Sequence, residues 1–326
     1  MVVRADPPAL RVLTAWRRAG RAEGRRTEFR PVRALLLAAA VATLARFLPG
    51  AAVFLGMLAV IIVVHEAGHY VVARRCGIRP TEFFVGFGPT VWARHTRDGA
   101  LRWGLKAFPV GGYVKLPGMG PSEEVEASLE PSTYRAATRP RRMAVILAGS
   151  VANLALGVVL FFGFAMTNPG IDASVGRAAT GSVSLAWDVG TDTLVGLGRL
   201  VTGAGEYVGS VADGQAPRDR MVSAVGGAQL TDGLLSQHPS RLLLLAGLFS
   251  VSIAVLNLLP LLPLDGGHAA VILAEGAVAR VRRRPGYRLD PNRFRVVAVT
   301  VVVLLVALGV SSMWIDLLHP LNSAVG

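Results

Sequence analysis

Cysteine is nearly absent from this sequence. Cys76 stands alone among 326 residues, which excludes both an intrachain disulfide and a cysteine-ligated zinc site. Its neighbours Arg74 and Arg75 favour a thiolate, yet it reads as a bystander thiol. Lysine is almost as scarce, since all but Lys106 and Lys115 of the 34 basic residues are arginine. Charge of either sign is sparse too, at 17% of positions against 52% hydrophobic. Soluble domains carry about a quarter charged residues, so this balance points to a chain that crosses a membrane several times. No basic stretch is interleaved with aromatic residues. The net charge of +13 therefore does not imply nucleic acid as a partner. The arginines instead cluster at the ends of apolar runs, as positive-inside topology requires, and the partner they imply is the lipid bilayer. Internal repeats and low-complexity tracts are missing. So is a small-residue cleavage site after the basic start, which argues against a removable signal peptide.

What is present divides into four segments. Residues 1–33 hold nine arginines and little apolar surface, and read as a basic cytoplasmic tail. Residues 34–166 form an N-terminal membrane part. It begins with ALLLAAAVATLARFL (34–48), shorter than the roughly 20 residues a span needs. A full span follows at 51–73, and a second at MAVILAGSVANLALGVVLFFGFAM, 143–166. Between them TEFFVGF, LRWGLKAF and GGYVKL, punctuated by Gly and Pro, predict short strands. Residues 167–240 read as an extracytoplasmic segment. Within it Leu194, Leu197 and Val201 share one face of an amphipathic helix over 184–201. Residues 241–326 supply a third span at 241–268, interrupted by Pro260 and Pro263, then a basic loop at 280–288 and a last span at 294–314. The expected fold is an all-α membrane core. It is a polytopic helical bundle of four spans, with a fifth if 34–48 also crosses, and carries a small membrane-associated β-region. The arginine-rich loops 74–142 and 280–295 belong inside and 167–240 outside. Nothing in the sequence points to an oligomeric state.

One stretch breaks the apolar pattern. VVHEAGHYVV (63–72) puts His65, Glu66 and His69 in a helix whose preceding run, AAVFLGMLAVIIVV, is uncharged. Ionisable groups cost several kcal/mol in hydrocarbon, so they mark function there. His65-Glu66-Ala67-Gly68-His69 is an H-E-x-x-H pattern. Residues four apart on a helix lie about 40° from each other, so both imidazoles can reach one ion while Glu66 stands beside it as a general base. Catalytic zinc takes three protein ligands and a water. The downstream histidine of the metzincins is missing, with Val72 and Arg75 at the positions that would carry it onward. Asp265, in LLPLLPLDGGHAAV, is the carboxylate most in need of a cation, and the prolines and Gly266-Gly267 open the helix around it. His268 is the rival ligand. His95, His238 and His319 sit in hydrophilic or terminal contexts and read as surface residues. By the charge argument the spans carrying His65 and Asp265 run in the same direction, so the two motifs reach the same, cytoplasmic, side and can meet.

With these pieces in place the chain resembles the site-2 protease family of intramembrane zinc metalloproteases, and its bacterial members most. The matching stretches are HEAGH (65–69), FFVGFGP (83–89), KAFPVGGYVKLPG (106–118), AGSVANLALG (148–157) and NLLPLLPLDGGH (257–268). The resemblance implies a Zn2+ cofactor held by His65, His69 and Asp265, with Glu66 as catalytic acid/base and Asn153 and Asn257 touching substrate. Without it, an Asn in an apolar span is more often a bond between helices. It implies a transmembrane protein as substrate, such as an anti-sigma factor or a remnant signal peptide. The expected location is the inner membrane, with the active site near the cytoplasmic side and the β-region close to it. Many bacterial members carry a PDZ domain after the second span. The interval here is too short for one, so a PDZ-lacking variant is expected. Two other readings stand beside this one. A metal-handling transporter has no use for Glu66 and would show inverted repeats, and an inactive scaffold would not keep every presumed catalytic residue.

Overall fold

The structure is a computed structural model that describes residues 27–120, 123–168, 174–217, 222–284, 287–289 and 294–321. The chain is mostly helical and forms two compact units. One comprises Ala73–Ala137 with the described part of Met1–Ala40, and the other Val41–Val72 with Thr138 onward. Among the described residues three helices are long and apolar enough to cross a membrane: α2 (Pro49–Arg75), α3 (Arg139–Thr167) and α9 (Arg295–Leu318). The expected four spans therefore reduce to three of full length. The run read as a third span stops as helix α7 at Asn257. At 17 residues α7 is about 25 Å long, short of a ~30 Å hydrocarbon core. Pro260 and Pro263 cannot donate to a helical ladder, which is why the chain leaves it there. It re-enters helix at α8 (Asp265–Val281), which runs into the stretch read as a basic loop. Residues 34–48 lie in α1 (Pro31–Phe47), also 17 residues, with none buried. Most of the presumed 1–33 tail lies outside the described residues, but Glu28–Phe29 is a strand, β1, and Pro31 already opens α1.

The sheet belongs to the first unit. β1 pairs antiparallel with β2 (Glu82–His95), and β2 pairs with β3 (Arg102–Lys115) in both parallel and antiparallel register. Both long strands double back on themselves. In β2, Gly86 and Gly88 take φ of 86° and 84°, a conformation open to glycine at no steric cost. Residues 82–85 consequently pair with 112–115 in antiparallel register and with 102–105 in parallel register. Residues 92–95 pair antiparallel with the other side of 102–105. The 102–105 segment is thus interior, and 112–115 is an edge that pairs on one side among the described residues. The Arg102 guanidinium reaches Glu28 at 2.9 Å and ties β1 to β3, while Trp92 and Trp103 meet edge to face at 4.9 Å. Phe87 and Phe108 stay exposed. In the turn that follows β2, the Thr96 hydroxyl donates to Asp98 at 2.5 Å and holds that carboxyl below its usual range.

In the second unit α3 is the central helix. Its buried residues Arg142, Val145, Gly149, Asn153, Gly157 and Phe161 recur every three or four positions, one helical stripe. Glycine sets how closely neighbours approach it. A Cβ on Gly157 would stand 2.4 Å from Val251, and one on Gly247 of α7 would stand 2.3 Å from the Phe161 ring. Small residues allow this contact between apolar helices, where no hydrophobic force sorts one helix from lipid. The described residues of 174–240 form three helices: α4 (Val175–Thr202), α5 (Ala204–Ala212) and α6 (Ala224–Gln237). The amphipathic helix expected at 184–201 is the second part of α4, which starts at Val175. Its Leu194 and Val201 are exposed, and Leu197 is half-buried. Thr193 of α4 lies 3.1 Å from Ser252 of α7, hydroxyl to hydroxyl.

Candidate metal centre

The site is assembled by α2, α3 and the N-terminus of α8, from residues that all lie in the second unit. His65 and His69 lie one turn apart on α2, 9% and 7% exposed, with their rings edge to face at 4.8 Å. Their Nε2 atoms are 3.1 Å apart. Asp265 opens α8, and its Oδ2 lies 3.2 Å from His65 Nε2 and 3.3 Å from His69 Nε2. A tetrahedral zinc with bonds of ~2.0–2.1 Å separates its ligand atoms by about 3.3 Å, so three atoms of the right chemistry already stand at zinc spacing. Among the described residues this is the one group of three or more such side chains able to hold a metal ion.

Three further observations fit a cation here. Asp265 Oδ2 is buried with no hydrogen-bond partner. A buried carboxylate oxygen is costly unless a positive charge meets it. His69 Nδ1 lies 2.8 Å from the Val145 carbonyl of α3. A carbonyl only accepts, so Nδ1 carries the ring proton and leaves the Nε2 lone pair facing the other two ligand atoms. Finally, Gly149 of α3 borders the cradle. A Cβ there would sit 2.4 Å from His69 Nε2 and 2.7 Å from His65 Nε2, inside the space the ligand atoms use.

Glycine also explains how the elements come this close. Gly68, between the two histidines, faces the Ala148 carbonyl, which an added Cβ would meet at 2.5 Å. On α8, a Cβ on Gly266 would lie 2.1 Å from the Leu258 carbonyl oxygen and one on Gly267 would lie 2.5 Å from the Leu261 carbonyl carbon. The Asp-Gly-Gly sequence therefore lets α8 start hard against the 258–264 turn, and this presents Asp265 from the first turn of the helix.

The other expected residues fall in different places. Glu66 follows His65 on α2 and is half-buried. His268 is one turn beyond Asp265 on α8, half-buried, and outside the three-atom cluster. Asn257 ends α7, half-buried. Asn153 is fully buried, with its amide nitrogen 3.4 Å from His65 Nδ1 and its backbone carbonyl accepting from Ser250 of α7 at 2.8 Å. Of the histidines read as surface residues, His238 and His319 are exposed and His95 is half-buried in β2. Sequence reasoning missed Gly149 and the Val145 carbonyl. The first sits in the quoted AGSVAN stretch, but a backbone acceptor leaves no mark in a sequence. It also missed a buried ion pair further along α8, where Arg142 Nη1 meets Glu275 Oε2 at 2.7 Å with both side chains under a tenth exposed. Glu275 inside AAVILAEGAVA is the signal that could have found it.

The chain is similar in sequence to known proteins. The sequence profile of peptidase family M50 matches residues 53–308, a range that contains every site residue named above. The zinc metalloprotease Rip1 of Mycobacterium tuberculosis (strain H37Rv) is 40% identical over 121 residues, which are 37% of this chain and 29% of Rip1. The regulator of sigma-E protease RseP of Salmonella typhimurium (strain 14028s) is 33% identical over 181 residues, 55% of this chain and 38% of RseP. This chain thus spans about a third of the length of those two relatives. Atu1380 of Agrobacterium fabrum aligns more completely, at 27% identity over 78% of this chain and 92% of its own length. With the family profile matched across most of its length, this multi-pass membrane chain belongs to peptidase family M50, the site-2 protease family.

Proposed function

We propose that the protein is a zinc metalloendopeptidase that hydrolyses a peptide bond in or near the transmembrane segment of a membrane protein. The observation that carries this reading is the cluster of His65 Nε2, His69 Nε2 and Asp265 Oδ2 at zinc spacing, with Glu66 following His65 on the same helix. His65, His69 and Asp265 hold the metal, and His268 does not. A zinc ion held there would supply Lewis-acid polarisation of a scissile carbonyl and of the attacking water. Glu66 takes the proton from the attacking water and delivers it to the leaving amine. Asn257 hydrogen-bonds the substrate backbone, which must leave its helical ladder before it can be cut. The 112–115 segment, an edge among the described residues, offers a strand to which an extended substrate segment adds.

Topology completes the proposal. α2, α3 and α9 cross fully, α7 crosses with the residues that follow it, and α1 supplies a fifth crossing. The site then lies near the cytoplasmic side of the inner membrane, 174–240 lies outside, and access is controlled without a PDZ domain. RseP is named as a regulator of sigma-E. That name is compatible with an anti-sigma factor as substrate; the substrate class we propose is anti-sigma factors or remnant signal peptides, cut in regulated intramembrane proteolysis.

The experiment is Glu66→Gln in membranes, with transmembrane fragments compared between wild type and variant by proteomics. Loss of a general base costs about 10²–10⁴ in rate, so uncut fragments accumulate while zinc content stays at the wild-type level. Cleavage at the normal rate sinks the proposal.

A further inference from the structure

We propose that Asn153 is a positioning residue for His65: its amide oxygen accepts the Nδ1 proton and so commits Nε2 to the metal. This rests on the zinc reading of the site. The two histidines differ in how their outer nitrogens are held. His69 Nδ1 is fixed by a backbone carbonyl, Val145, at 2.8 Å. His65 Nδ1 has a side chain there instead, the Asn153 amide at 3.4 Å. A neutral imidazole carries one proton. If His65 gives its Nε2 lone pair to zinc, Nδ1 must bear that proton and needs an acceptor. The amide nitrogen cannot accept, but the amide oxygen can. Asn153 Oδ1 is buried with no hydrogen-bond partner, on a side chain with no exposure to solvent. Turning the amide by half a turn places this unpaired oxygen on His65 Nδ1–H, and the two amide orientations are nearly the same in shape. The turned amide gives His65 the support that His69 already has, and zinc-bound histidines almost always have such a partner. Burial also separates Asn153 from Asn257. Asn257 is half-buried at the end of α7, whereas Asn153, on α3, is fully buried beside the His65 ring. A role through His65 therefore replaces direct contact with substrate.

The test measures Zn2+ affinity by chelator competition on the full-length protein in detergent, for wild type, Asn153→Asp and Asn153→Leu. Cobalt-substituted absorption spectra report the ligand geometry alongside. Asp keeps an acceptor at the same reach, and Leu keeps the volume without one. Asn153→Leu is expected to weaken zinc binding by about 10–100-fold, the usual effect of removing an outer partner of a metal-bound His. Asn153→Asp is expected to stay within about threefold of wild type and keep its cobalt spectrum. Wild-type affinity in Asn153→Leu overturns the inference, and if KM for substrate rises at the same time the residue touches substrate instead. Equal loss in both variants with a lowered melting temperature overturns it in favour of simple packing. A wild-type protein that takes up no zinc fails the metal site itself and is distinguishable from all of these outcomes.

Discussion

Replacing Gly149 by alanine should empty the metal centre by adding one methyl group. The new Cβ would stand 2.4 Å from His69 Nε2, 2.7 Å from His65 Nε2 and 2.7 Å from His65 Cε1. Non-bonded atoms of this size settle at about 3.5 Å, so the rings or the helix must give way by roughly 1 Å. Ligand positions in a metal site tolerate only about 0.2 Å. His69 cannot simply swing aside, because the Val145 carbonyl holds its other nitrogen at 2.8 Å. Moving α3 instead separates that carbonyl from its partner. Either response spoils at least one ligand, and the expected loss of zinc affinity is at least about 100-fold, the upper end of what outer-partner mutations cost. The assay is zinc per chain by elemental analysis after graded chelator treatment of detergent-purified protein. Gly163→Ala on the same helix is the control, since its nearest neighbour would be Leu243 at an ordinary 3.6 Å. If Gly149→Ala holds zinc as tightly as wild type, the cradle is not where we place it.

Three more outcomes are expected. Asp265→Asn should lose zinc in the same chelator assay while His268→Gln retains it; the reverse pattern would make His268 the third ligand. Arg142→Met leaves Glu275 buried without its closest cation and should cost about 3–5 kcal/mol, read as a lowered melting temperature, whereas Arg142→Met with Glu275→Leu should recover most of it. Gly247→Val drives side-chain atoms into the Phe161 ring and should cost about 1–3 kcal/mol in thermal unfolding without changing zinc affinity.

The candidate metal centre was more legible in the sequence than the fold around it, for a physical reason. Ionisable residues in an apolar run have few structural explanations, so His65, His69 and Asp265 could be singled out with two hundred residues between them. Helix ends lack such a constraint. The run 241–268 has the apolar content of a span, yet Pro260 and Pro263 end α7 at Asn257, and the Gly266-Gly267 pair read as a break is the close-packed start of α8. The strands were placed correctly, but nothing in their pattern says that each doubles back on itself. Arg142 was read with its neighbours as a topology signal, and a positive-inside arginine looks the same in sequence whether it faces headgroups or Glu275.

One stripe of α3 joins these pieces. Arg142 holds α8 through Glu275, the Val145 carbonyl fixes His69, Gly149 makes room for both imidazoles, and Asn153 stands on His65. Further along, Gly157 meets Val251, and Phe161 meets Gly247 on α7. Asp265 and Glu275 lie ten residues apart on one helix, about 15 Å, so fixing Glu275 to Arg142 also limits where Asp265 can stand. A candidate site built from two distant motifs thus acquires its precision from a helix that contributes no atom to the His65–His69–Asp265 cluster. On this view the AGSVAN stretch matters to the chemistry as much as HEAGH does, because it sets the spacing at which HEAGH and Asp265 meet.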